Sequence, residues 1–122
     1  MSMYEAINGF VEEKLMNLHT AMPCKVLSYE NNEATIQPLF MKTTKDGQRP
    51  YPIIEGVRGL KNHLHVKDEK PKCYCTTYYP GDIVLVIFSE RALDHVLNGE
   101  IADPQFNRRH SIQDAIILGV IQ

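Results

Sequence analysis

The sequence lacks any apolar run near the ~18 residues that are needed to cross a bilayer. Its first five residues also carry no positive charge, so they differ from the start of a secretory signal peptide. From these two absences we predict that the chain is made in the cytoplasm and does not itself insert into a membrane.

Cysteine is scarce, and so is net charge. The three cysteines, Cys24, Cys73 and Cys75, are odd in number, which favours reduced thiols over a disulfide framework in a chain without a signal peptide. The formal net charge of −2 provides no general attraction to a phosphate backbone. The sequence therefore predicts no nucleic-acid partner.

A catalytic signature is also missing. The acidic residues that invite a catalytic role are each explained by a turn, a helix cap or a solvent-exposed face: Asp82, Glu90, Asp94, Asp103 and Asp114. His95 follows Asp94 and is most simply a surface or packed residue. We therefore predict that the protein is not an enzyme and uses no cofactor.

One group of residues has metal-binding side chains. Its members are His63, His65, Cys73 and Cys75. On extended chain each pair would lie on one face, so that four ligands could meet around a zinc ion. Structural zinc sites favour cysteines separated by two to four residues, because the thiolates fold around the ion. We therefore predict no metal site, with the thiols facing the core and the histidines in a loop; a small metal-dependent hydrolase is the weaker alternative.

The strongest positive signal is a turn followed by a buried strand. Pro80, Gly81 and Asp82 favour a tight turn, because proline and glycine supply the backbone angles and aspartate bonds nearby backbone groups. Residues 83–88 are all apolar and mostly β-branched or aromatic, which predicts a central strand. With 122 residues the chain is long enough for one domain with its own core.

The N-terminal segment predicts an amphipathic helix. Ser2 and Glu5 have the spacing of a capping box, and Pro23 is expected to end the helix. We assign 1–21 to this helix and 22–122 to a barrel domain. The apolar residues that share one helical face are the first interface candidates: Tyr4, Ile7, Val11 and Leu18. This face either covers one end of its own barrel or packs with other subunits; we favour an assembly interface.

The rest of the sequence alternates between short strand-like runs and turn residues. The predicted strands are 24–29, 34–40, one beginning at 51–54, 73–79, 83–88 and 115–121. Residues 56–72 predict a long exposed loop, and 89–98 a short helix. The pattern indicates a mainly β protein: a small OB-type barrel of five to six strands, with an N-terminal helix and a short helix after the fifth strand.

Several motifs, in order, resemble a phage family. MPCKVLSY at 22–29 and ATIQP at 34–38 resemble the M-P-x-x-V-x-x-Y … A-T-V-Q-P opening of that family. PGDIVLV at 80–86, FSERALD at 88–94 and RRHSIQDA at 108–115 continue the likeness. The family comprises the N-terminal OB domains of contractile-tail central spike proteins, the membrane-piercing needles under the baseplate.

The resemblance implies a structural protein without catalysis. It implies a homotrimer that closes the end of the tail tube, with a baseplate hub protein above and a needle tip below. Such a chain is made in the bacterial cytoplasm and assembled into the baseplate of a virion or a tailocin. Family members usually continue into an intertwined β-helix with a metal-bearing tip, whereas this sequence ends at Gln122. We therefore expect a needle from a separate polypeptide, or a role as a plug or adaptor at the tube end.

The R-R-H segment supplies the second set of interface candidates. Arg108, Arg109 and His110 are expected to contact a neighbouring subunit, because arginine is favoured in interface ion pairs.

The alternative function is an OB-type binding module for single-stranded nucleic acid or a peptide. Tyr74, Tyr78 and Tyr79 could form a stacking platform for bases. Such a platform works beside a basic groove, however, and the lysines within 67–72 are offset by two acidic residues. Packing of these tyrosines in the barrel or at a subunit interface is therefore favoured.

Overall fold

Alternate apolar residues point inward along the strands that build the barrel. The computed structural model describes residues 2–16, 18–103 and 109–121, apart from the side chains of Thr44, Cys73 and Cys75. The elements of that part of the chain are α1 (Met3–Met16), β1 (Ala21–Glu30), β2 (Glu33–Pro38), β3 (Met41–Thr44), β4 (Gly47–Pro50), β5 (Ile54–Gly59), β6 (Lys61–Leu64), β7 (Lys72–Cys75), β8 (Ile83–Phe88), a 3-10 helix (Ile112–Asp114) and β9 (Ala115–Val120).

Among the described strands, five close into a barrel in the order β1-β2-β5-β9-β8. Neighbouring strands are antiparallel except β5 and β9, which run parallel with Gly59 opposite Ile117. The long strand β1 bonds to β2 on one side and β8 on the other, and both Cys24 and Lys25 have partners on both sides. A five-stranded barrel of this kind confirms the predicted OB-type fold.

The core is formed by the inward-facing residues of these strands. Buried residues alternate with more exposed ones along β2, β8 and the first half of β1. The largest fully buried side chains are Ile36, Ile117, Val26, Val57, Val84, Val86 and Cys24. Full burial of a valine or isoleucine side chain contributes about 1.5–3 kcal/mol, so this layer is the main source of stability.

The turn before β8 is fastened to β1 by backbone hydrogen bonds. The N–H of Val26 donates to the Asp82 carbonyl at 2.9 Å, and the N–H of Gly81 donates to the Val26 carbonyl at 2.8 Å. Within the turn, the Asp82 carboxylate accepts from the N–H of Tyr79 at 2.9 Å. Gly81 has φ +96°, a conformation that glycine adopts without strain. The Pro-Gly-Asp turn is therefore confirmed.

The N-terminal helix is present but shorter than predicted. It ends at Met16, and β1 begins at Ala21, so that Pro23 lies inside a strand. The capping box is formed: the N–H of Glu5 donates to Ser2 Oγ at 3.1 Å, and the N–H of Ser2 donates to Glu5 Oε2 at 3.3 Å. Local capping therefore sets the start of the helix, while pairing of β1 with β8 limits how far it extends.

The loop predicted over 56–72 is wrong, because most of β5 and all of β6 lie within it. Strand β6 pairs with β7 as a hairpin outside the barrel sheet, so 73–79 is not a barrel strand either. Every residue of β6 is exposed. Because β6 faces no core, its sequence has no alternation of apolar and polar residues that would predict a strand. Backbone pairing with β7 holds the hairpin together.

The helix predicted over 89–98 is replaced by successive turns, and the short helix of the structure is the 3-10 helix before β9. The Ser89 carbonyl accepts from the N–H of His110 at 3.0 Å, and the N–H of Leu93 donates to the Asp114 carboxylate at 3.2 Å. In an α-helix, the N–H of Leu93 would instead donate to the carbonyl of Ser89. Asp114 is also buried, which corrects its assignment to a solvent-exposed or simple capping position.

The ring of Tyr78 packs directly on Gly59 of β5. Tyr78 is 3% exposed, and a Cβ atom built on Gly59 would lie 2.6 Å from its hydroxyl oxygen and 2.7 Å from its Cε2 atom. The ring of Tyr29 meets the Tyr78 ring edge-on, with ring centroids 5.3 Å apart. A side chain at position 59 would therefore displace this ring from the core.

We predict that Gly59→Ala lowers the free energy of unfolding by about 1–3 kcal/mol, because the added methyl overpacks the site. Gly119→Ala is the matched control in β9, since nothing lies within 4 Å of the Cβ it would add. Chemical denaturation of the three proteins measures the difference. If Gly59→Ala is as stable as Gly119→Ala, the Tyr78 ring moves without cost and the packing argument is wrong.

Candidate assembly surface

Helix α1 exposes its apolar residues. It has no buried residue in the described part of the chain. Of the predicted interface residues, Tyr4 is 73% exposed, Ile7 56% and Val11 47%, while Leu18 lies just after the helix and is 43% exposed. The helix therefore does not bury this face against its own barrel.

A helix of this kind is weak by itself. Isolated helices shorter than about 12–15 residues are marginal in water, and α1 has 14 residues. Gly9 weakens it by a further ~1 kcal/mol relative to alanine, and no atom approaches the position where its Cβ would lie. Contact with another surface would supply the missing stability.

A groove of about 910 Å³, lined by both apolar and polar side chains, lies between the C-terminal end of α1, the start of β1 and the β3–β4 hairpin. Its larger apolar side chains are those of Met16, Leu18, Met22, Phe40, Met41 and Tyr51. Phe40 is 57% exposed and Met41 56%. The sequence interpretation missed this groove, although the run of three apolar residues after Pro38 was its signal.

The hairpin beside the groove and the helix have opposite charges. The charged residues of the β3–β4 hairpin, including its turn, are Lys42, Lys45, Asp46 and Arg49, which give a net charge of +2. Those of α1 are Glu5, Glu12, Glu13 and Lys14, which give −2. Charge complementarity of this kind favours specific association and faster encounter between surfaces.

His19 links the groove to the barrel core. Its ring meets Tyr51 edge-on at a centroid distance of 5.3 Å and lies 6.1 Å from the ring of Phe88. Burial lowers the pKa of His19, and the positive charge of Lys42 lowers it further. The neutral imidazole is thereby favoured, which suits its packing between aromatic rings.

Two of the three R-R-H residues lie near the same hairpin. Arg109 and His110 line a concavity of about 350 Å³ together with His19 and Lys42. Arg108 lies outside the described residues. The structure thus brings Arg109 and His110 beside the groove, while their role in a subunit contact stays a prediction.

The candidate metal ligands lie on the β6–β7 hairpin and its connecting loop. His63 is in β6 rather than in a loop, and its Cα atom is paired with that of Cys73. The Nε2 atom of His65 lies 2.8 Å from the Glu69 carbonyl oxygen. Among the described residues, no three His, Cys, Asp or Glu side chains form a group that could hold a metal. Because the side chains of Cys73 and Cys75 are not among them, the expectation for these four residues stays a prediction.

The tyrosine platform of the alternative function is not assembled. Tyr78 is buried in the barrel core, as favoured above, whereas Tyr74 and Tyr79 are exposed. A buried ring cannot stack on a base from outside. The three tyrosines therefore do not form a continuous stacking surface.

Cys24 is a free thiol that faces the core of the barrel. Burial raises its pKa from the ordinary value of 9.0 to about 11, because the thiolate would lose its hydration. Burial also raises the pKa of Tyr78, with a smaller contribution from Tyr29. Both groups are held in their neutral forms by the folded barrel.

We predict that the free energy of unfolding decreases as the pH rises from about 9 to about 11. The unfolded thiol releases its proton near pH 9, whereas the folded one keeps it until about pH 11, so the stabilisation is complete below pH 9 and is lost above it. Between pH 8 and pH 11, chemical denaturation should show a smaller decrease in the free energy of unfolding for Cys24→Ala than for the wild type. Equal losses would contradict this role of Cys24.

In the described part of the chain, no helix combines the length and the apolar character needed to span a membrane.

The barrel and the exposed helix α1 together define the class of protein: an OB-type barrel module with an amphipathic helix that buries none of its residues.

Comparison with known families places this module. The family described as the phage protein Gp138 N-terminal domain matches this chain over residues 22–119. Because the match covers most of the chain, the protein belongs to this family of phage structural domains, in agreement with the motifs at 22–38 and 80–94. No curated protein matches the chain significantly.

Proposed function

We propose that this protein is a structural component of a contractile tail. In this proposal it forms a homotrimer in the central spike and closes the tube end. It contacts a baseplate hub protein above and joins the tube to a needle tip below. The observation that supports the proposal is membership of a phage structural domain family over 22–119. The motifs that resemble spike proteins lie in the same segment.

Exposed apolar surface gives independent support. Helix α1 and the β3–β4 hairpin both present large apolar side chains to solvent, and contiguous surface of this kind marks sites of protein association. Rings with three-fold symmetry require two different complementary patches on each subunit. Helix α1 and the groove are two different exposed patches of one subunit, and the hairpin beside the groove has a net charge opposite to that of the helix.

We predict that the purified protein forms a trimer, with a mass near three times the 14.0 kDa of one chain. Multi-angle light scattering at tens of micromolar measures this mass directly. The concentration should then be lowered in steps, because a weak trimer will dissociate on dilution. A stable monomer at the highest concentration would contradict the proposed ring.

We predict that antibodies against this chain label the distal end of the tail in electron micrographs of particles that contain it. Labelling along the sheath or on the capsid would contradict the proposed position. Particles in which the chain is absent are the control for antibody specificity. Position and oligomeric state are tested separately by these two experiments.

A further inference from the structure

We infer that the groove beside the β3–β4 hairpin binds helix α1 of a neighbouring copy of this chain. The inference rests on the proposed function, because it requires that copies of the protein associate. It adds the location of the contact: the helix of one subunit enters the groove of the next, and the same contact repeats around the ring.

The helix of the same chain cannot fill the groove. Within α1, only Glu13 and Met16 line it, at the end of the helix. Tyr4 is separated from Met16 by 12 residues of helix, or ~18 Å along the axis. The apolar face that includes Ile7 and Val11 is therefore carried away from the groove of its own subunit, and it stays exposed.

A second copy provides a matching occupant. Its α1 has exposed apolar side chains, and the lining of the groove includes Phe40 and Met41, which are also exposed. Its excess of acidic residues would lie beside Lys42, which lines the groove together with Glu13, and beside the hairpin, whose net charge is +2. Apolar burial would stabilise the contact, and the charges would fix which surfaces meet.

The contact has a direction that can be tested. A helix of one subunit in the groove of the next is a heterologous interface, so each copy donates a helix and accepts one. Helices that instead pack with each other around an axis would leave the groove unused. Variants that damage the helix or the groove separately distinguish these arrangements.

The test uses two full-length variants with substitutions at exposed positions. The helix variant is Ile7→Ser/Val11→Ser, which keeps an intact groove. The groove variant is Phe40→Ser/Lys42→Glu, which keeps an intact helix. The matched control is Leu118→Ser/Lys61→Glu, which makes the same kinds of change at exposed positions of β9 and β6. Circular dichroism and thermal unfolding confirm that each variant is folded.

We predict that the helix variant and the groove variant are each monomers at concentrations where the wild type and the control are trimers. The equilibrium constant for self-association should fall by about tenfold or more. A mixture of the two variants should form a 1:1 dimer, because the intact helix of the groove variant binds the intact groove of the helix variant. Light scattering of the separate and mixed proteins measures the masses.

The other outcomes overturn the inference in distinguishable ways. A trimeric groove variant would show that the groove is not the contact, while leaving the proposed trimer intact. Two monomeric variants that do not combine would show that the two surfaces do not bind each other. A monomeric wild-type protein would contradict both the proposed ring and this contact.

Discussion

The barrel depends on a pair of hydrogen bonds between Val26 and the turn that begins β8. Through them β1 is fixed to Gly81 and Asp82 on one side, while its other side pairs with β2. The register of β1 against β2 shifts between Val26 and Ser28, where the intervening Leu27 is left outside the core, and a β-bulge of this kind bends the strand. The alternation of buried residues along β1 and β8, and hence the core, follows from this registration.

The predictable parts of the fold are those whose side chains alternate between core and solvent. Strands β1, β2, β8 and β9 have such patterns, and Asn31 and Asn32 adopt the positive φ values of 52° and 64° that their turn requires. Strand β6 was missed because none of its residues is buried. The helix predicted at 89–98 is absent, because hydrogen bonds to the distant residues 110 and 114 outweigh the local preference for a helix.

Of the candidate assembly surface, the sequence predicts the helix face but not the groove, for a similar reason. The apolar face of α1 lies within one continuous segment, so its spacing alone predicts Tyr4, Ile7 and Val11 as interface candidates, and the structure shows these side chains exposed. The groove combines side chains from the end of α1, from 18–22, from 40–43 and from Gln48 and Tyr51, which are neighbours only after the barrel has closed. Family membership, in turn, identifies a phage structural domain without specifying which surface contacts which subunit.

Closure of the barrel also separates stability from recognition. Unpaired backbone groups on an edge strand offer a template to which other chains can add, but each barrel strand in the described structure has a neighbour on both sides. In the proposed assembly, contacts between subunits would therefore be made mainly by side chains on the helix and hairpins, which lie outside the barrel core. Such side chains can be substituted without altering the barrel, so that the same fold can bind different partners.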